Sequence, residues 1–360
     1  MALLAPDDLV ARLRRDVERS ALRARNGLKM LADVGRPTTA TTPKDTVWSS
    51  EKVELWRYRS DRPTHPVPLL LVHSLVSRSY VFDMAPGNSF VENLVGRGFD
   101  VYLLDWGVPD ELEAANTLET YADDYIPAAV DVVREVSASD DVHLFGYCFG
   151  GVLSLLYAAG HHDAPLRSLS VLATPIDFTH MGPMTTLMQE GRVDPDDLID
   201  PTGNVPADAI LSSFRLLAPT GDLSGYVNLW QHLWNDDYVD SHRIMTGWAR
   251  DHIPFPGAAF RQTAELLTRE NRLLTGRVPL GDRVVDLADI TVPFLSILGE
   301  KDNIVPPEST SPLVGLVGSE VADEMRLRAG HVGLIVGRAA QQRNIPEMAA
   351  WIEQWDAEDT

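Results

Sequence analysis

The chain contains one thiol, Cys148, and no other cysteine. That excludes an intrachain disulfide framework and fits a reducing, cytoplasmic setting. Basic charge is scarce too: 31 Lys and Arg against 52 Asp and Glu leave a formal net charge of −21. Nucleic-acid binding needs a basic footprint, so that class of function is excluded. The same charge repels an anionic membrane surface until salt screens it beyond roughly 8 Å. There is no apolar run long enough for a transmembrane helix. Met1 to Asp7 lacks the basic n-region and apolar stretch of a signal peptide. Internal repeats and low-complexity tracts are missing as well. What remains is an ordinary globular composition, 44% apolar and 23% charged over 360 residues, enough for one large core and an inserted sub-domain.

Residues 6–34 predict a helix, with Leu9, Leu13, Val17 and Leu22 at near-helical spacing and an Arg-rich opposite face. Such a helix either packs on the body or serves as a partner-docking arm. Residues 35–47, rich in Pro and Thr without periodicity, read as a linker. Short apolar runs then alternate with helical patterns. Pro68–Val72, Phe99–Leu104, Asp141–Phe145, Ser168–Ala173, Pro293–Leu298 and Glu324–Leu327 predict buried strands. Ser89–Val95, Tyr121–Val136 and Val152–Ala159 predict the crossover helices. This alternation implies an α/β fold with a mostly parallel sheet covered by helices on both faces. Residues 177–289 are too long for a loop and carry Trp230, Trp234 and Trp248 with Phe214, Tyr226, Tyr238, Phe255 and Phe260. They read as an inserted, mainly helical cap. The expected organisation is a helix and linker over 1–45, a core over 46–176 and 290–360, and the cap over 177–289.

Gly146-Tyr147-Cys148-Phe149-Gly150 has the form G-x-nucleophile-x-G between a strand and a helix. The glycines permit a sharp turn that exposes Cys148 at a helix N-terminus, where the dipole favours negative charge on sulfur. In an α/β-hydrolase fold the acid and the histidine follow the nucleophile in chain order. Asp302 lies just past the end of the Pro293–Leu298 strand, and His331 sits in the loop Gly330-His331-Val332-Gly333. His331 then serves as base toward Cys148, with Asp302 orienting its imidazole. An oxyanion hole needs two aimed N–H donors. The backbone of Phe149 offers one, and the His73-Ser74-Leu75-Val76 loop the other, Val76 ahead of Leu75. His73 itself reads as structural. The histidine pair His161-His162 reads as solvated loop, and His180, His232, His242 and His252 are too widely spaced for a metal site. No cofactor and no metal are expected.

From about residue 46 onward the chain resembles the short, two-component (class III or IV type) polyhydroxyalkanoate synthases. The resemblance rests on Pro68-Leu69-Leu70-Leu71-Val72, Leu104-Asp105-Trp106-Gly107 and Gly146-Tyr147-Cys148-Phe149-Gly150-Gly151. It continues through Thr174-Pro175-Ile176-Asp177-Phe178, Asn204-Val205-Pro206, Asp302-Asn303-Ile304-Val305-Pro306-Pro307 and Gly330-His331-Val332-Gly333. It departs at Phe149, where the family commonly has a polar residue, at Asn303 in place of His, and at Ser77 in place of Asn. The resemblance implies Cys148, Asp302 and His331 as the catalytic set. It further implies polymerisation of (R)-3-hydroxyacyl-CoA thioesters through an acyl-cysteine. A second, non-homologous subunit and a polymer granule surface in the cytoplasm are the implied partners, with room for a homodimer. Whether His331 or Asp302 activates the incoming hydroxyl stays open at this level, as do the CoA phosphate contacts, for which Arg78, Arg243 and Arg250 are candidates. A cysteine thioesterase or esterase of the same fold, and a silent acyl-CoA or granule binder, are the competing functions.

Overall fold

The computed structural model describes residues 6–32, 38–60, 63–217 and 229–356. Its frame is an eight-stranded sheet: β1 (Lys44–Ser50), β2 (Val53–Tyr58), β3 (Leu69–Val72), β4 (Val101–Asp105), β5 (Val142–Tyr147), β6 (Leu166–Leu172), β7 (Phe294–Gly299) and β8 (Ala322–Leu327). The spatial order is β1-β2-β4-β3-β5-β6-β7-β8. The β1–β2 and β2–β4 pairs are antiparallel, and every later pair is parallel. Period-two alternation splits the strands between two cores. Leu70, Val72, Tyr102, Leu104 and Leu144 face the helices α3 (Ile126–Ser137) and α4 (Phe149–Gly160). Leu69, Leu71, Val101, Leu103 and Phe145 face α2 (Phe90–Gly96) and the C-terminal helix Ile345–Glu353. Burial on both faces explains why these strands read as unbroken apolar runs.

Two sequence expectations change here. Residues 44–47 are not linker: Lys44 opens β1 and pairs with Tyr58, so the sheet begins two residues inside the 1–45 segment. The two antiparallel strands β1 and β2 carry charged and half-exposed side chains, which hides them from a search for apolar runs. The N-terminal helix α1 (Pro6–Leu31) forms, but Val17 and Leu28 on it are each 68% exposed. Met30 packs on Leu229, Leu233 and Val239, and beside it the contact is polar. Asn26 donates to the Leu233 carbonyl at 2.9 Å and to Asp236 at 2.8 Å, and Arg25 pairs with the same carboxylate. Residues 33–34 of the expected helix, 35–37 of the expected linker and Tyr226 lie outside the described residues, as do the side chains of Leu9 and Leu13.

Between β6 and β7 the chain forms α5 (Pro183–Gln189), α6 (Ala207–Leu217), α7 (Asp236–Trp248) and α8 (Gly257–Gln262). A short ribbon pairs Asn204–Val205 with Phe255–Pro256, and a hairpin pairs Arg277–Leu280 with Arg283–Asp286. From Ala259 on, this segment buries Leu267, Val278, Leu280, Val285 and Leu287 in the same core as α4. Phe214, Met245, Trp248, Ala249 and His252 of the segment before Ala259 reach Cys148.

Candidate active site

Cys148 occupies the turn from β5 into α4 with φ 56° and ψ −124°. A non-glycine residue there carries of the order of 1–3 kcal/mol of backbone strain. Three glycines make the turn possible. A Cβ on Gly146 would lie 2.5 Å from Gly151 Cα, one on Gly150 would lie 2.3 Å from the Val72 carbonyl, and one on Gly151 would lie 1.9 Å from Thr174 Oγ1. Cys148 donates its backbone N–H to the Leu172 carbonyl at 2.8 Å. Phe149 opens α4, so its N–H is one of the donors a helix start leaves without an intrahelical partner.

The end of β7 and the loop after β8 bring Asp302 and His331 together. His331 Nδ1 donates to Asp302 Oδ2 at 2.7 Å, and both side chains are buried. The other carboxylate oxygen, Asp302 Oδ1, accepts the N–H groups of Ile304 at 2.8 Å and Val305 at 2.9 Å. Burial pushes the His331 imidazolium down, but the charges of Asp302 and Cys148 and the hydrogen bond to Asp302 outweigh it and raise the ring to about 10. Tyr147, just before Cys148, packs its ring 5.1 Å from that of His331.

Cys148 and His331 share a cavity of about 140 Å³ with Val76 and Ser77 of the loop after β3 and with Phe214, Met245, Trp248 and His252 of the 207–254 segment. Val76 thus lies at the site; Leu75 is buried in the α4-side core. His73 is buried behind the loop with its ring nitrogens unpaired by protein atoms, and its carbonyl accepts the Trp106 indole N–H at 2.9 Å. Burial drives its ring down to about 4, against the charge of Asp105. Phe149 is turned away from a polar role: its ring meets Phe255 edge-on at 5.6 Å. Arg78 pairs with Asp251 at 3.4 Å. Among the described residues no cluster of His, Cys, Asp or Glu is arranged to hold a metal ion. Sequence reasoning missed His252 and Trp248 as neighbours of the site. Their contacts span more than 160 residues of chain, and no local pattern signals them.

A strained nucleophile elbow on an eight-stranded sheet, with acid and histidine at later strand ends, defines the α/β-hydrolase class. A family model described as the α/β-hydrolase fold matches residues 67–337. A monoacylglycerol lipase from Paleococcus ferrophilus superposes with a TM-score of 0.50 at 18% identity, covering 84% of this chain and 99% of that one, which speaks to the fold alone. Within that class the chain belongs to the PhaC family of poly(3-hydroxyalkanoate) polymerases. The poly(3-hydroxyalkanoate) polymerase subunit PhaC of Allochromatium vinosum is 37% identical over 335 residues, covering 91% of this chain and 93% of that protein. Its counterpart in Thiocystis violacea is 33% identical over 332 residues, covering 91% and 93%. A model of the N-terminus of poly-beta-hydroxybutyrate polymerase (PhaC) matches residues 8–94.

Proposed function

We propose that the chain polymerises (R)-3-hydroxyacyl groups from their CoA thioesters, with Cys148 carrying the acyl chain. The observation that carries this reading is the strained Cys148 sharing a cavity with a His331 paired to Asp302, in a chain of the PhaC family. The Cys148 sulfur attacks the thioester carbonyl; the C–S bond to CoA breaks, and His331 protonates the departing thiolate. One thioester replaces another, so the step is close to balanced. A 3-hydroxyl group then attacks the acyl-cysteine, gives its proton to a base, and forms the new ester while Cys148 is released.

His331 is the better base for that hydroxyl. Both oxygens of Asp302 are already engaged, and Asp302 is not among the residues lining the cavity. The backbone N–H groups of Phe149 and Val76 receive the oxyanion. The cavity, about 140 Å³, is below the roughly 300 Å³ at which small-molecule sites begin. It suits an acyl group shielded from water, which favours transfer to a hydroxyl over hydrolysis. Admitting CoA requires Phe214, Met245, Trp248 and His252 to move aside.

A second, non-homologous subunit and action at a polymer granule belong to the same reading. The exposed Val17 and Leu28 of α1 offer that subunit an apolar contact. No helix among the described residues is long and apolar enough to cross a membrane. Incubating the purified chain with 3-hydroxybutyryl-CoA tests the proposal. Polymer and free CoA are expected, and neither from Cys148→Ala. CoA released with free acid and no polymer would make the chain a thioesterase instead. Co-purification with the product of a neighbouring gene, and a rise in activity on adding it, is the expected outcome for the second subunit; full activity of the lone chain would contradict it.

A further inference from the structure

A seam of hydrogen bonds joins the end of the cap to the loop after β3. Trp248 donates its indole N–H to the Arg78 carbonyl at 3.1 Å. Asp251 accepts the Tyr80 hydroxyl at 3.0 Å and Arg78 Nε at 3.4 Å. His252 Nδ1 bonds the Val76 carbonyl at 2.9 Å, and the N–H of Ile253 approaches the same oxygen at 3.4 Å. Ser77 and His252 pair as an antiparallel β-bridge. Residues 248–253 thus add themselves to loop 76–80 much as an edge strand would.

A carbonyl only accepts, so the His252 proton sits on Nδ1. Burial favours the neutral ring, against the carbonyls of Val76 and Ala249 and the charge of Asp251. Phe214 stacks on the ring at 5.0 Å with 7° between planes, fixing its rotation. By contrast, the loop's own polar contact to Val76 is slack: Ser74 Oγ lies 3.5 Å from the Val76 nitrogen, at the outer limit of a hydrogen bond. The firm hold on the Val76 backbone comes from the cap.

Oxyanion donors stabilise a transition state only when they are aimed in advance. We propose that His252 is a positioning residue for acyl transfer: with Trp248 it fixes the Val76–Arg78 backbone, so that seating the cap and completing the oxyanion hole are one event. The inference rests on reading Val76 and Phe149 as the oxyanion donors. It has a consequence for fidelity. When the cap parts, water enters, but the hole is incomplete at that moment, so an exposed acyl-cysteine is protected from hydrolysis. Transfer becomes fast only in the closed, dry site.

The test is first-turnover release of CoA from 3-hydroxybutyryl-CoA by the full chain and three variants. A donor displaced by about an ångström costs about 10²-fold. His252→Ala is expected to slow release about ten- to a hundredfold with little change in KM, while iodoacetamide still alkylates Cys148 at least as fast as in the wild type. His252→Asn, whose amide N–H can reach where Nδ1–H did, is expected to recover most of the rate. Trp248→Phe keeps the ring and loses the N–H to Arg78; it is expected to slow release several-fold, and it decides the matter if His252→Ala does not fold. Wild-type rates in both His252→Ala and Trp248→Phe would overturn the proposal. So would an effect confined to KM, or an Asn variant no better than Ala. A wild-type chain that releases no CoA would instead defeat the polymerase reading, and this inference with it.

Discussion

Cys148 pays for its exposure with a backbone that a side chain rarely adopts, and its neighbours keep it there. The tightest of them is Gly151, where a Cβ would lie 1.9 Å from Thr174 Oγ1. Gly151→Ala is expected to cost about 1–3 kcal/mol through overpacking, read as a lowered midpoint in urea unfolding. His331 carries a second prediction. Replacing it by Gln is expected to slow CoA release by about 10²–10⁴-fold, as for loss of a positioned acid–base group. Its protonation also links to stability. The folded ring sits near 10 against 6.5 for the free side chain. Its stabilising effect is therefore complete below pH 6.5, declines above that, and is gone once pH has risen through 10. The stability gap between wild type and His331→Gln should be widest below pH 6.5 and shrink toward pH 10. A gap that widens with pH would contradict the ion-paired state of the ring. Residue types and chain order alone pointed to Cys148, Asp302 and His331, because nucleophile, acid and base must follow a fixed sequence along this sheet.

Elements were legible in proportion to how fully they are buried. The parallel strands β3 to β7 show as apolar runs because both faces pack. The antiparallel strands β1 and β2 alternate charged and half-exposed side chains, such as Lys44, Asp45, Glu54 and Arg57, so that β1 was read in part as linker and β2 was not read as a strand. The helix α1 was legible as a helix, but not its docking. Its hold on the cap runs through Asn26 and Arg25 to Leu233 and Asp236, more than 200 positions away. Asn26→Ala removes three hydrogen bonds, two donated to Leu233 and Asp236 and one accepted from Arg25, and leaves a buried carbonyl without its donor, which costs about 1–3 kcal/mol. That loss should fall on the cap. Hydrogen–deuterium exchange is expected to quicken over residues 229–248 and to stay unchanged in β3 to β7. Equal quickening of the central strands would mean that α1 supports the whole body.

At the scale of the molecule, a net charge of −21 means that the folded chain repels itself. The Debye length shrinks from about 30 Å at 0.01 M salt to about 8 Å at 0.15 M. The thermal midpoint should therefore rise between those two concentrations of NaCl, and a flat or falling midpoint would show that local ion pairs dominate. The same field opposes an anionic CoA ester at long range, so productive binding relies on local contacts.

The sequence by itself determined the class of fold and the family, and it singled out Cys148, Asp302 and His331 as candidates, since these depend on local runs, glycine positions and order along the chain. Only the tertiary structure decided how the insert divides: Leu267, Val278, Leu280, Val285 and Leu287 join the α4-side core, while Phe214, Met245, Trp248 and His252 line the cavity at Cys148. It alone showed that Asp302 has no oxygen to spare and that the cap's Trp248 and His252 grip the loop after β3. Those facts are hydrogen bonds between segments far apart in the chain. No periodicity or motif encodes such a pairing, because each partner meets the other only after the sheet and the cap have formed.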